Sequence, residues 1–154
     1  MTTDLIFNTG EELLVKEGFD GKTVTVGLYN DSVDNLGEFA ALSNINTEPS
    51  IDQTNYSRET ITLSASENQN NNFVGENSEQ ILFNFEDIVQ GSANAQDVDA
   101  AFVVYNDPDN SNFNDILLAN PSMTTIRNTA AFDELEISPG DFGIGVDGTA
   151  NTSG

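Results

Sequence analysis

The chain has 154 residues, enough for one domain with a single core, and its 26 acidic residues against four basic ones give a formal net charge of −22. With only Lys16, Lys22, Arg58 and Arg127 to meet phosphates, the composition argues against nucleic acid and anionic membrane as partners. The absence of Cys and His removes disulfides, thiol catalysis and Cys- or His-based metal sites.

The acids are spread along the chain between strand-like runs, so they do not form a disordered acidic tail. Such a chain repels itself at low salt. At ~1 M salt the Debye length falls to ~3 Å and the repulsion is largely screened. Scarce Lys with abundant Asp, Glu, Asn, Ser and Thr is the halophilic pattern, and the expected setting is haloarchaeal. No apolar run reaches the ~18 residues of a membrane span. The first residues lack the basic and apolar regions of a secretory signal, so synthesis in the host cytoplasm is expected.

In chain order, residues 1–21 read as an N-terminal arm with one short helix. Thr9-Gly10-Glu11-Glu12 has the form of a capping box with Thr9 as N-cap, and Gly18 suits the C-terminal end. Residues 22–148 read as a β domain. In residues 22–30, Val24, Val26 and Leu28 alternate with Thr23, Thr25 and Gly27, a half-buried strand. Residues 30–35 read as a loop and 36–42 as a turn of helix, and Pro49 closes that region. Residues 56–63 alternate again, with Ile61 and Leu63 on one face. Residues 67–72 are an Asn-rich loop, and Phe73-Val74 a brief pairing. Residues 80–85 point Ile81, Phe83 and Phe85 inward, and 90–95 are a connection.

Residues 98–105, Val-Asp-Ala-Ala-Phe-Val-Val-Tyr, are the longest apolar run. The run is too short for a buried helix and rich in β-branched and aromatic residues, so it reads as a strand covered on both faces, with Phe102 and Tyr105 in the core. An Asn/Asp-rich turn follows, and residues 115–119 can fold back to make a hairpin. Residues 124–131 are ambiguous between helix and strand. Phe132, Leu135 and Ile137 fall near a core. Pro139-Gly140-Asp141 is a turn. Phe142, Ile144 and Val146 alternate with Gly143, Gly145 and Asp147 in a final strand whose glycine face admits another backbone, including that of a neighbouring chain. Residues 149–154 read as a flexible tail. Six to eight short strands with regular turn signals predict an all-β fold: an antiparallel β-sandwich, jelly-roll-like, with one short N-terminal helix. An up-and-down barrel is the alternative.

The motif order carries more than any motif alone. Val24-Thr25-Val26-Gly27-Leu28-Tyr29 is followed by Tyr56-Ser57-Arg58-Glu59-Thr60-Ile61-Thr62-Leu63 and by Phe83-Asn84-Phe85. Then come the 98–105 strand, Ile116-Leu117-Leu118-Ala119, and a closing Ile137-Ser138-Pro139-Gly140-Asp141-Phe142-Gly143-Ile144-Gly145-Val146-Asp147. From 22 to 147 this order resembles a diffuse family of small structural proteins encoded by tailed viruses, called head decoration, head fibre or tail proteins. The resemblance implies a virion component without catalytic residues. The acidity and the Asn-rich insert depart from the family pattern, and the acidity fits a haloarchaeal virus.

Without His or Cys, only carboxylates remain for enzyme chemistry. Asp97 and Asp99 share a strand face, but carboxylates are so numerous that chance proximity is common, and solvent-facing charge at the start of a strand is the better explanation. Asp107, Asp109, Ser111 and Asp115 place oxygens like the start of a calcium loop. That pattern would need Gly at position 112 and Glu at 118, where Asn112 and Leu118 stand. A weakly bound cation is the one cofactor on offer, and a solvated hairpin tip is the simpler reading. Arg58 follows Tyr56 at strand spacing, which points to a salt bridge or stacking role in the fold.

The expected function is that of a capsid decoration or turret protein, not an enzyme. Its partners would be further copies of itself, as a trimer or pentamer, and other virion proteins such as the major capsid protein. A tail or fibre-base protein and a host-surface carbohydrate-binding module are the alternatives.

Overall fold

The structure, a computed structural model, describes residues 7–67 and 73–145. The β-branched and aromatic runs form nine strands there, all paired antiparallel, and the architecture is all-β and sandwich-like as expected. In chain order the elements are α1 (Asn8–Phe19), β1 (Thr23–Tyr29), the one-turn helix α2 (Asp31–Asp34), β2 (Glu59–Glu67), β3 (Phe73–Asn77), β4 (Ile81–Asn84), β5 (Asp97–Tyr105), β6 (Ile116–Ala119), β7 (Ser122–Asn128), β8 (Glu134–Ile137) and β9 (Gly143–Gly145). Short 3-10 turns lie at Leu42–Asn44, Ser111–Phe113 and Thr129–Ala131.

β5 is the hub. One of its edges pairs with β1, bringing Gly27 opposite Phe102 and Leu28 opposite Ala101. Its other edge is shared by β6 near its end and β7 near its start, with register shifts at Val98/Ala100 and Val103/Val104. The main sheet continues from β1 through β2 and β3 to β9, while β4 and β8 form a separate pair. On one face of the main sheet Val24, Val26, Leu28, Ala101 and Val103 pack with Phe83, Phe85, Leu135 and Phe142, and Tyr105 lies partly buried against this core. On the opposite face Tyr29, Ala100, Phe102 and Val104 form a second core, covered by Leu36, Leu42 and Ile45 of the β1–β2 connection and by Leu117. The polar connection after β1 therefore acts as a layer, which is why β1 is buried on both faces over its second half instead of alternating to the end.

Several expectations need correction. α1 begins at Asn8, with extended Phe7 at the N-cap and no side-chain cap, so the Thr9 capping box does not form. The helix runs past Gly18 to Phe19 because the Phe19 ring packs on the core and over Gly75 of β3, where an added Cβ would sit 2.6 Å from Phe19 Cβ. Gly21, at φ +73°, then makes the reversal into β1. The helical turn lies at 31–34 and not at 36–42. The ambiguous 124–131 stretch is strand up to Asn128 and a 3-10 turn after it. Phe132 is 43% exposed. It precedes β8 and stands three residues from buried Leu135, which puts it out of phase with the inward face. Gly143 and Gly145 lie beside Val74, and a Cβ on Gly143 would sit 3.1 Å from it, so the glycine face serves packing within the chain. Of the stretch 67–72 expected as a loop, Glu67 ends β2 and 68–72 lie outside the described residues, as do Val146, Asp147 and residues 148–154.

Candidate functional site

The densest polar arrangement spans the β1–β2 connection. Buried Tyr56 stacks against the rings of both Phe83 and Phe85, with centroids at 5.9 and 6.2 Å. Its hydroxyl accepts from the Leu28 N–H at 2.8 Å and donates to Glu48 Oε1 at 3.0 Å. The same carboxylate receives Arg58 in a two-pronged pair, Nε to Oε1 at 2.8 Å and Nη2 to Oε2 at 2.7 Å. The guanidinium also lies 5.2 Å from the Phe102 ring centroid, a cation–π contact. Arg58 therefore has the structural role its sequence context indicates, but its partners are Glu48 and Phe102.

Burial, and next the Glu48 charge, push the Tyr56 hydroxyl well above the usual tyrosine range. The Glu48 hydrogen bonds raise Arg58 still further above its ordinary value. Both groups therefore hold fixed protonation states at neutral pH, and neither is suited to proton transfer. Glu48→Ala should cost about 2 kcal/mol, because it strands a half-buried guanidinium and a buried hydroxyl together. Chemical denaturation of the variant in high salt measures this.

Asp97 and Asp99 are engaged separately, with partners in different elements. Asp97 accepts from the Asn128 side-chain amide at 2.9 Å. Asp99 reaches across to α2, accepting the Asp31 N–H at 2.6 Å, the Ser32 N–H at 3.2 Å and the Ser32 hydroxyl. It thus caps a helical turn 68 residues away in sequence. Burial raises its pKa, but the Ser32 hydroxyl and the backbone donors outweigh that and hold it below the ordinary aspartate value. Its stabilising contribution is therefore present above the unfolded pKa and lost as pH falls through the folded one. Asp99→Asn should cost about 1 kcal/mol at neutral pH and flatten the acid limb of a stability–pH curve below the ordinary aspartate pKa.

Asp31, on the same turn, accepts from the Tyr29 hydroxyl at 2.8 Å, and the Asn120 amide donates to that hydroxyl at 3.0 Å. Burial is the chief cause raising the Tyr29 hydroxyl far above the tyrosine range. Asp34 likewise accepts from Asn46, the Thr47 N–H and the Thr47 hydroxyl.

At the β5–β6 hairpin tip, Asp107 accepts the Asp109 N–H at 2.9 Å, and Asn106 accepts the Asp115 N–H at 2.6 Å. Asn110 accepts the Asn112 N–H across Ser111. The tip is a series of Asx turns, and among the described residues no three carboxylates are brought together to hold a metal ion.

Sequence reading missed Glu48, Asp31 and Asp34, whose partners lie in other elements. The one usable signal for Glu48 was the scarcity of cations, since a half-buried Arg58 needs a carboxylate. The described residues also line concavities. A cavity of about 490 Å³ opens between β7 on one side and β8 and the start of β9 on the other. A smaller one, about 220 Å³, lies between residues 36–40 and β6. Comparison with protein-family models, with curated proteins and with solved structures gave no match to this chain.

Proposed function

We propose that the protein is a virion structural protein of a haloarchaeal tailed virus, a capsid decoration or turret protein that binds the capsid surface and further copies of itself. The observation that carries this reading is the use to which the polar side chains are put. Tyr29, Asp31, Asp34, Glu48, Tyr56, Arg58 and Asp99 are all engaged in tying the long connection onto the β1–β5 core. A chain whose polar groups brace a scaffold, and most of whose other acids among the described residues are exposed, with Glu11 buried, is built to present a surface. The strand-motif order from 22 to 147 supports a virion setting, and the −22 charge a saline one. Closed rings of three or five suit the local symmetry of a capsid and avoid open-ended growth.

Light scattering should show a closed oligomer that tightens as salt screens the like charges. Mass spectrometry of purified particles of the encoding virus should find the chain as a multicopy component. A strict monomer at every salt, absent also from the particles, would overturn the proposal. In that case the weight moves to a carbohydrate-binding module, for which Phe39, 94% exposed at the tip of a turn closed by the Ala40 N–H to Gly37 carbonyl bond, is the ring to test.

A further inference from the structure

The cavity of about 490 Å³ is bounded by three strands that each have a single pairing partner among the described residues: β7 pairs only with β5, β8 only with β4 and β9 only with β3. No ladder joins β7 to β8 or β9, so the sandwich is left open along this seam. β7, with seven residues, is the longest edge there, although it pairs with β5 only near its two ends, at Ser122 and at Arg127-Asn128, and bulges at 123–126 opposite Asp99. Its unpaired main-chain donors and acceptors form a ready template for one more strand. Native edges are usually blunted by charged side chains, lysine above all, by proline within the strand, by β-bulges or by a covering element. β7 reads Ser-Met-Thr-Thr-Ile-Arg-Asn, with neither lysine nor proline; it carries one charge, Arg127, and one bulge, and no element covers it among the described residues. The floor of the seam is apolar where Met123, Leu135 and Phe142 contribute to it, and Glu136 and Asp141 stand on the side opposite β7. The cation on the β7 wall, Arg127, lies over the exposed Phe132 ring at 5.5 Å from its centroid.

We propose that this seam is a strand-acceptor site. An extended segment of a partner protein adds antiparallel or parallel to β7, and its alternate side chains fill the cavity. Main-chain hydrogen bonds supply affinity, and the apolar floor selects side chains at every second position. The occupant is a neutral-to-basic segment with Lys or Arg flanking an apolar alternation. Glu136, Asp141 and the −22 charge of the whole chain attract it, whereas a second copy of this chain brings the same negative charge. The site stands on the open edges themselves and does not depend on the virion reading.

The test uses three fluorescent nonapeptides of alternating valine and threonine: one flanked by lysines, one flanked by glutamates, and one lysine-flanked with prolines in place of the threonines. Binding is followed by anisotropy at the lowest salt that keeps the protein folded, with hydrogen exchange read on the 122–128 amides. The lysine-flanked peptide should bind about tenfold or more tighter than the glutamate-flanked one. It should slow exchange of the β7 amides, and the proline peptide should not bind. Thr125→Trp, an exposed substitution in the cavity wall, should abolish binding with the melting temperature unchanged, and Thr124→Trp serves if that variant fails to fold. Phe39→Ala, far in sequence and outside the cavity lining, should bind as wild type. Absence of binding, binding without β7 protection, equal binding of the proline or glutamate peptides, or binding that survives the tryptophan substitution overturns the proposal. Self-association that protects the same amides without peptide makes a second copy the occupant and overturns the basic-partner assignment.

Discussion

Phe102→Ala should destabilise the fold by about 3–5 kcal/mol, the cost of emptying a fully buried aromatic site. The ring is 0% exposed and sits in the core on the side of the sheet that the β1–β2 connection covers. It meets Tyr29 edge-on at 6.0 Å and lies under the Arg58 guanidinium. It also lies directly over the backbone of Gly27, where an added Cβ would be 2.2 Å from its Cζ. Removing it therefore opens a cavity and withdraws the surface against which Arg58 is held. The same geometry makes Gly27→Ala destabilising, because the new methyl has nowhere to go while the ring is present. In the double variant the methyl enters space the ring has left, so the combined cost should be less than the sum of the two. Chemical denaturation of the four proteins in high salt closes this cycle. A cost for Phe102→Ala under about 1 kcal/mol, the scale of a surface change, would show that β5 is not the anchor.

The strands were legible because their cause is local. Alternation at Val24-Thr25-Val26 and Thr60-Ile61-Thr62-Leu63 states which face is buried whatever the partner strand is. Phe102 and the hairpin after it follow from an apolar run ending in turn residues. What was not legible depends on groups distant in sequence. Asn30 at the N-cap and the acids Asp31 and Asp34 offer only a weak local signal for the helical turn at 31–34, because the carboxylate that caps it belongs to Asp99 on β5. A local capping box at Thr9 reads well, yet α1 starts two residues earlier, with Phe7 and not Thr9 at the N-cap, and ends later, since the docking of Phe19 on Gly75 outweighs a cap of about 1 kcal/mol. The second core was hidden for a similar reason. Leu36, Leu42 and Ile45 are scattered in a polar segment without period, and only the tethers from Asp31, Asp34 and Glu48 bring them onto the sheet. At the Asp107–Asp115 tip, Asp107 and Asn110 each accept the N–H two residues on, so part of a spacing that resembles ligand chemistry also makes Asx turns.

The melting temperature should fall steeply as salt is lowered from multimolar to ~0.1 M, because the Debye length grows from under ~3 Å to ~10 Å. At the lower salt each exposed carboxylate feels several others, and the net charge of −22 disfavours any compact state. Direct pairing offsets little of this. Among the described residues the ion pairs are Lys16 with Glu12 and Arg58 with Glu48, which leave most of the acids without a cation. The first is solvent-exposed and contributes at most a few tenths of a kcal/mol. The second is engaged in the Tyr56 network and does not screen the exterior. Stability must then come from the two cores and the backbone ladders, working against a repulsion that only counterions remove. A charge-reduced variant separates this cause from a general effect of salt on hydrophobic burial, which also strengthens with salting-out ions. Glu17, Glu38, Glu86 and Glu134 are exposed, and replacing all four with Gln should leave the high-salt midpoint close to wild type while raising the low-salt midpoint. If the salt dependence were hydrophobic in origin, the variant would keep the wild-type slope. Equal midpoints for the wild-type protein at both salts would refute the saline adaptation altogether and, with it, the setting from which the virion proposal draws part of its support.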